Sequence, residues 1–193
     1  MNTKFDTAIR LFDEANQNDP NKETWNNKEY PKELLYAIRM SNKLDEFEPN
    51  ASESVKLAVR CQHICRWEIP RDSYEMNRVG YLTWRRDLYK FHANRASKIL
   101  KEIGYSDDII DNVQFLLQKK QLKKNEETQL LEDVICLVFL EFYFDNFSEK
   151  YSEEKLIDIL QKTWAKMSEK GHNAALKMNF NEKTKKLITK ALS

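Results

Sequence analysis

Glycine and proline are scarce in this chain. Three glycines and four prolines in 193 residues are too few to turn the corners of a β-sandwich or barrel, where φ > 0 and fixed-φ positions recur. An excess of charge is also missing. The net charge is +1, so no global field draws the chain to nucleic acid or an anionic membrane. Long uninterrupted apolar runs are absent as well. The most apolar stretch, LLEDVICLVFLEFYFDNF (130–147), is broken by Glu132, Asp133, Glu141 and Asp145 and is too short to cross a bilayer. The opening MNTKFDTAIRLFDEANQ has the pattern of an amphipathic helix rather than a signal peptide. Cysteine is sparse and odd in number. Cys61, Cys65 and Cys136 fall on apolar faces of expected helices, which predicts free, buried thiols in a reducing compartment and a cytoplasmic protein. No Gly-rich phosphate loop, serine elbow or thiol–histidine pair stands out.

Charged residues are abundant at 33%, interleaved with apolar residues at three- and four-residue spacing. That is the signature of amphipathic helices with solvated outer faces. Phe5, Ala8, Ile9 and Phe12 form a first stripe. A polar loop, NKETWNNKEY, leads to Pro31 as the first residue of a second helix carrying Leu34, Leu35, Ile38 and Leu44. Asn50, with Glu53 three residues on, reads as the capped start of a third helix that Pro70 ends. A fourth runs from about Tyr81 to Ile103 and stops at Gly104; Ser106 opens a fifth. A central helix begins near 128, Ser152 caps another, and short pieces near 171–178 and 182–192 close the chain. The expectation is one all-α domain over residues 1–193, a single compact body of seven to nine helices, with no linker to divide it.

Polar residues intrude where apolar faces are expected, above all in RCQHICRWEIPR (60–71). On a helix turning about 100° per residue, Gln62 and Arg66 fall inside an apolar arc and His63 at its margin. Buried polar groups need partners. One reading is an Arg66–carboxylate pair bracing two helices. The other is a polar pocket in which Arg66 and Arg71 bind an anion beside Glu68. Cys61-x-His63-x-Cys65 has metal-like spacing, but helical geometry would point His63 away from the two thiols, which excludes a structural zinc site. On the fourth helix His92 interrupts the stripe of Tyr81, Trp84, Leu88 and Ile99, flanked by Arg85 and Arg95. A lone histidine there is either a satisfied core residue or a ligand or base. Glu132 and Asp133 open the central helix, where carboxylates must pair, bind metal or take up protons.

PKELLYAIRM, QHICRWEIPR, WRRDLYKFHANRASKIL, QLLEDVICLVFLEFYF and KTWAKMSEKGH together closely resemble domain-of-unknown-function family 4202, over nearly the whole chain. That resemblance implies no activity. The order of segments resembles, more weakly, the HD phosphohydrolase superfamily, all-helical enzymes whose metal is held by His and Asp. LAVRCQHI is similar to the helix ending in their His-Asp pair, FHANRASKIL to a downstream His-bearing helix, and LLEDVICL to the helix with the final Asp. The likeness implies that His92 serves a second metal or the phosphate side, and that Asp133 closes the metal site. The pair reads Gln62–His63 here, and LLYAIRM has no histidine where the first is expected.

Two functions from different classes follow. In a metal-dependent hydrolase, His63, His92 and Asp133 would hold a divalent ion that activates water. Arg66, Arg71 and Arg85 would then neutralise phosphate, with Glu68 or Glu132 handling a proton and His92 taking part in the chemistry. In a binding module, Gln62, Arg66, Trp67, Arg71 and Arg85 would capture an anionic, phosphorylated or nucleotide-like small molecule, and no cofactor is needed. RNA binding through QKKQLKK (118–124), with Trp67 and Trp84 as stacking surfaces, is disfavoured, because four lysines in a turn are ordinarily solvated surface. No membrane partner is expected, and the oligomeric state is left open.

Overall fold

The computed structural model describes residues 3–193, in which two compact units are distinguished, 3–120 and 121–193. Both are built from helices, and the one sheet among the described residues has two strands.

In the first unit, α1 (Lys4–Gln17) starts at Thr3, whose hydroxyl and backbone exchange hydrogen bonds with Asp6 in a capping box. The stretch expected as a polar loop is instead a hairpin, β1 (Lys22–Trp25) paired antiparallel with β2 (Lys28–Pro31). Its two-residue turn, Asn26–Asn27, has φ of 50° and 60°. This is the left-handed conformation a tight hairpin demands and asparagine tolerates. Arg39 anchors the hairpin by an ion pair with Glu23 at 2.5 Å. Pro31 ends β2, and α2 (Lys32–Phe47) begins one residue later. Pro31 offers no side-chain cap. Asp19, buried and fourteen residues upstream, accepts from the Glu33 amide at 2.9 Å in its place.

The third helix differs most from expectation. Its cap is Ser52, not Asn50, and α3 (Glu53–Cys61) ends nine residues before Pro70. Beyond Cys61 the backbone exchanges helical bonds for tertiary ones. The Cys65 amide donates to Asn16 Oδ1 at 2.9 Å, and the Ile64 carbonyl accepts from His92 Nδ1 at 2.9 Å. Cys65 takes a left-handed conformation (φ 52°), and short 3₁₀ turns follow at Arg66–Glu68 and Arg71–Ser73. The polar residues of 62–66 therefore do not compete for a helix's apolar face. They lie on an irregular strap after the helix has ended.

Asn77 caps α4 (Arg78–Ile103), which starts three residues earlier than expected and stops where Gly104 adopts φ 85°. The last helix of this unit is α5 (Asp107–Leu117). Helix α1 packs on α2, α3 and α4, and α5 packs on α3 and α4. Arg60 braces α3 to α1 through a bidentate pair with Asp13, at 2.7 and 2.6 Å. The helix-bracing arginine is thus Arg60 rather than Arg66.

The second unit holds α6 (Glu126–Val138), a π-helical stretch at Phe139–Tyr143, α7 (Phe144–Ser148), α8 (Glu153–Trp164), α9 (Glu169–Leu176) and α10 (Glu182–Leu192). The expected central helix is present as α6 continued through the π turn, with Val134, Leu137 and Val138 buried. Helix α8 packs on α10, and α6 on α9. All three cysteines are free and buried. No helix among the described residues is long and apolar enough to cross a membrane.

Candidate anion site

Three elements of the first unit supply a buried polar centre: the start of α2, the strap 62–66 and the middle of α4. On α2, Glu33 and Tyr36 are three residues apart and share a face. Tyr36 stacks on the His63 ring, with centroids 4.1 Å apart and planes 15° apart, and its hydroxyl donates to Gln62 Oε1 at 3.0 Å. His63 stands between two charged groups. Its Nδ1 is 3.2 Å from Glu33 Oε2, and its Nε2 is 2.7 Å from Arg66 Nη1.

The tautomer follows from the partners. A guanidinium only donates, so His63 Nε2 accepts and the proton resides on Nδ1, from which it is donated to Glu33. The imidazole is therefore neutral. Burial holds its pKa well below the usual histidine value, and the positive charges of Arg66, Lys119, Lys32 and Arg85 push it further down. Burial raises the Glu33 carboxyl, against the opposing pull of Arg66, Lys32 and His92.

His92 packs beside this row, its ring centroid 5.9 Å from that of His63. The Ile64 carbonyl can only accept, so His92 Nδ1 carries the proton and Nε2 is a bare acceptor. That nitrogen is buried and has no hydrogen-bond partner among the described residues. Burial first, then the neighbouring His63, push the His92 pKa down to about 3.

A ladder of cations and rings leads outward along α4. The Arg66 guanidinium lies 4.9 Å from the Trp84 ring centroid, and Arg71 lies 6.0 Å from both Trp84 and Tyr81. Arg85 lies 5.8 Å from Tyr81 and 5.5 Å from Tyr89, whose hydroxyl accepts from it; Lys119 covers Tyr89 at 5.5 Å. Trp84 is fixed by its indole N–H, which donates to the Ile69 carbonyl at 2.9 Å.

The residues expected to form a site thus divide. Gln62, His63, Arg66, His92 and Arg85 belong to the centre or its ladder. Arg71 is committed to shaping the loop, donating to the carbonyls of Tyr74, Glu75 and Asn77 at 3.1, 2.7 and 3.2 Å. Glu68 is exposed and pairs with Arg95 at 3.0 Å, and Trp67 is half-buried on the 3₁₀ turn. Asp133 and Glu132 belong to the second unit. There Asp133 accepts from the Ser168 amide (2.7 Å), the Ser168 hydroxyl (2.5 Å) and Gln129 (3.0 Å), so its oxygens hold the residue that caps α9, Ser168, whose hydroxyl accepts from the Gly171 amide. Glu132 is buried and lies 3.8 Å from Lys166 Nζ. Among the described residues no group of three or more His, Cys, Asp and Glu side chains is arranged to hold a metal ion.

Glu33, Tyr36 and Lys32 escaped the sequence reading, and Lys119 entered it only within the QKKQLKK segment. A faint signal existed in PKELLY: a carboxylate in the first turn of an otherwise apolar helix face, three residues before a tyrosine.

The profile of one family, described as Domain of unknown function (DUF4202), matches residues 6–188. The chain belongs to that family. No curated protein and no solved structure matches it. Family membership thus brings no activity with it, and the chemistry of the Glu33–His63–Arg66 row has to be argued from its own geometry.

Proposed function

We propose that the first unit is a binding module for an anionic small molecule, phosphorylated or nucleotide-like, which it takes at Arg66 beside His63. The observation that carries this reading is the partner of Arg66. Its one hydrogen bond among the described residues goes to a neutral imidazole, and no carboxylate there pairs with it. A half-buried arginine so placed keeps an uncompensated positive charge. The charges of Arg85, Lys32 and Lys119 also reach His63, and Arg66 and Lys32 act on Glu33. A phosphate, whose tetrahedral oxygens can present two acceptors at once to the guanidinium fork, suits such a site. The flanking Trp84 and Tyr81 rings favour a ligand with a flat or apolar portion.

Calorimetric titration of the full chain with inorganic phosphate, a phosphomonoester and adenosine monophosphate tests this. Binding is expected to persist in the presence of a chelator. Arg66→Met should weaken it by roughly tenfold or more, the loss of one charge-assisted bond of about 1.5–3 kcal/mol. Absence of binding to all three anions would refute the module. Turnover of the phosphomonoester on adding manganese, nickel, cobalt or iron, abolished by His92→Ala, would replace it with the metal-dependent hydrolase.

A further inference from the structure

Four large apolar side chains are exposed within seven residues where α4 begins. Met76 is 77% exposed, Val79 70%, Leu82 55% and Tyr81 43%. Exposed apolar side chains are ordinary when scattered, but a cluster on a rigid frame marks an interface. The frame here is rigid. Arg71 ties down the loop through three carbonyls within four residues, those of Tyr74, Glu75 and Asn77, and Asn77 caps the helix. At Gly80 a Cβ would stand 2.1 Å from the Glu75 carbonyl oxygen, so the loop lies hard against the helix. The cluster is also cationic at its edge. Arg78 is exposed and has no partner among the described residues, and Arg86 follows Val79 two turns along the same face.

The opposite character occurs elsewhere on the same unit. Along α1, half-buried Phe5 and Ile9, one turn apart, form the apolar floor of a groove of about 430 Å³, edged by Asp6, Asp13 and Glu14 with Arg10 the only basic lining residue. Asp6 and Glu14 are exposed, Glu14 in a pair with Arg10 one turn away at 2.5 Å, while Asp13 is held by Arg60. We infer that the chain self-associates, with the Met76–Val79–Leu82 cluster of one copy seated on the Phe5–Ile9 groove of another and Arg78 and Arg86 facing Asp6 and Glu14. Cluster against cluster would set Arg78 against itself, whereas cluster against groove pairs apolar with apolar and cation with acid. An anionic bilayer fits less well, because Asp72, Glu75 and Asp87 lie among the arginines. The contact is small, so the association is weak and concentration-dependent. It does not depend on the anion site, and it is read by mass rather than by ligand.

Sedimentation velocity of the full chain over a roughly hundredfold concentration range decides it. The average mass should climb above the 23.1 kDa monomer as concentration rises, and fall back in high salt. Val79→Asp, on the exposed cluster, should hold the chain at monomer mass, and so should Ile9→Lys in the groove. Mixing the two variants should restore association, because one retains an intact groove and the other an intact cluster. Far-ultraviolet circular dichroism confirms that each variant is folded, and Glu14→Lys, at a more exposed position, replaces Ile9→Lys if it is not. A monomer at every concentration overturns the inference. So does association that survives Val79→Asp, or a mixture that stays monomeric.

Discussion

Mild acid should loosen the first unit, and His92 sets the size of the effect. In the unfolded chain His92 titrates near 6.5, whereas in the folded protein burial and His63 hold it at about 3. Above pH 7 the imidazole is neutral in both states and contributes nothing to pH dependence. As pH falls below 6.5 the unfolded chain takes up a proton that the folded chain refuses, so stability is lost progressively until about pH 3. Each pH unit in that window costs about 1.4 kcal/mol. Between pH 7.5 and 5.0 the loss from His92 is therefore about 2 kcal/mol. His63, also depressed, adds in the same direction. Glu33 works the other way. Its raised pKa stabilises the folded state at low pH and the benefit disappears as pH rises through the folded value, so as pH falls it offsets part of the histidine loss between that raised value and the ordinary carboxylate pKa.

Urea unfolding followed by tryptophan fluorescence reads the first unit chiefly, because Trp25, Trp67 and Trp84 lie there and only Trp164 lies in the second. With a denaturant slope of about 2 kcal/mol per molar, the midpoint should drop by about 1 M or more from pH 7.5 to 5.0. His92→Gln keeps a donor for the Ile64 carbonyl but does not titrate. It should reduce that drop by about 1 M, the roughly 2 kcal/mol that His92 contributes. An unchanged pH dependence in the variant, or a wild-type midpoint that does not move, would refute the neutral, unpaired imidazole.

Two further perturbations test the scaffold. Gly171→Ala inside α9 would ordinarily stabilise a helix by up to about 1 kcal/mol. Here the new Cβ would stand 2.7 Å from Asp133 Oδ1 and 2.9 Å from its Cγ, so thermal unfolding should show a net loss of about 1–3 kcal/mol. Asp19→Ala removes the acceptor for the amides of Asn21 and Glu33, at 2.9 Å each. It should cost about 1–3 kcal/mol and raise amide exchange at the first turn of α2.

What the sequence determined by itself is local. Apolar residues at three- and four-residue spacing, Ser152 before α8, Gly104 after α4 and the scarcity of other turn formers specify helices whatever surrounds them, because capping and periodicity act within a few residues. The burial of Cys61 and Cys136 follows from the same faces. The hairpin at 22–31 was equally local, written in Asn26–Asn27, but two asparagines state a tight turn more weakly than Asn-Gly.

Tertiary structure decided the rest. Nothing between Cys61 and Pro70 ends a helix on propensity alone. Asn16, distant in sequence, takes the Cys65 amide, and His92, also distant, takes the Ile64 carbonyl, so the helix stops where remote groups outbid its own carbonyls. The partner of Arg66 could not be read either, since a carboxylate from another helix and a histidine three residues away are equally consistent with the chain. Asp133 shows the same limit. A buried aspartate on an apolar helix suits a metal ligand and a brace for another helix alike, and only the position of Ser168 and Gly171 made it the group that holds the cap of α9. Spacing along a helix determines which face a side chain shares. What meets that face is set by how the helices fold back on one another.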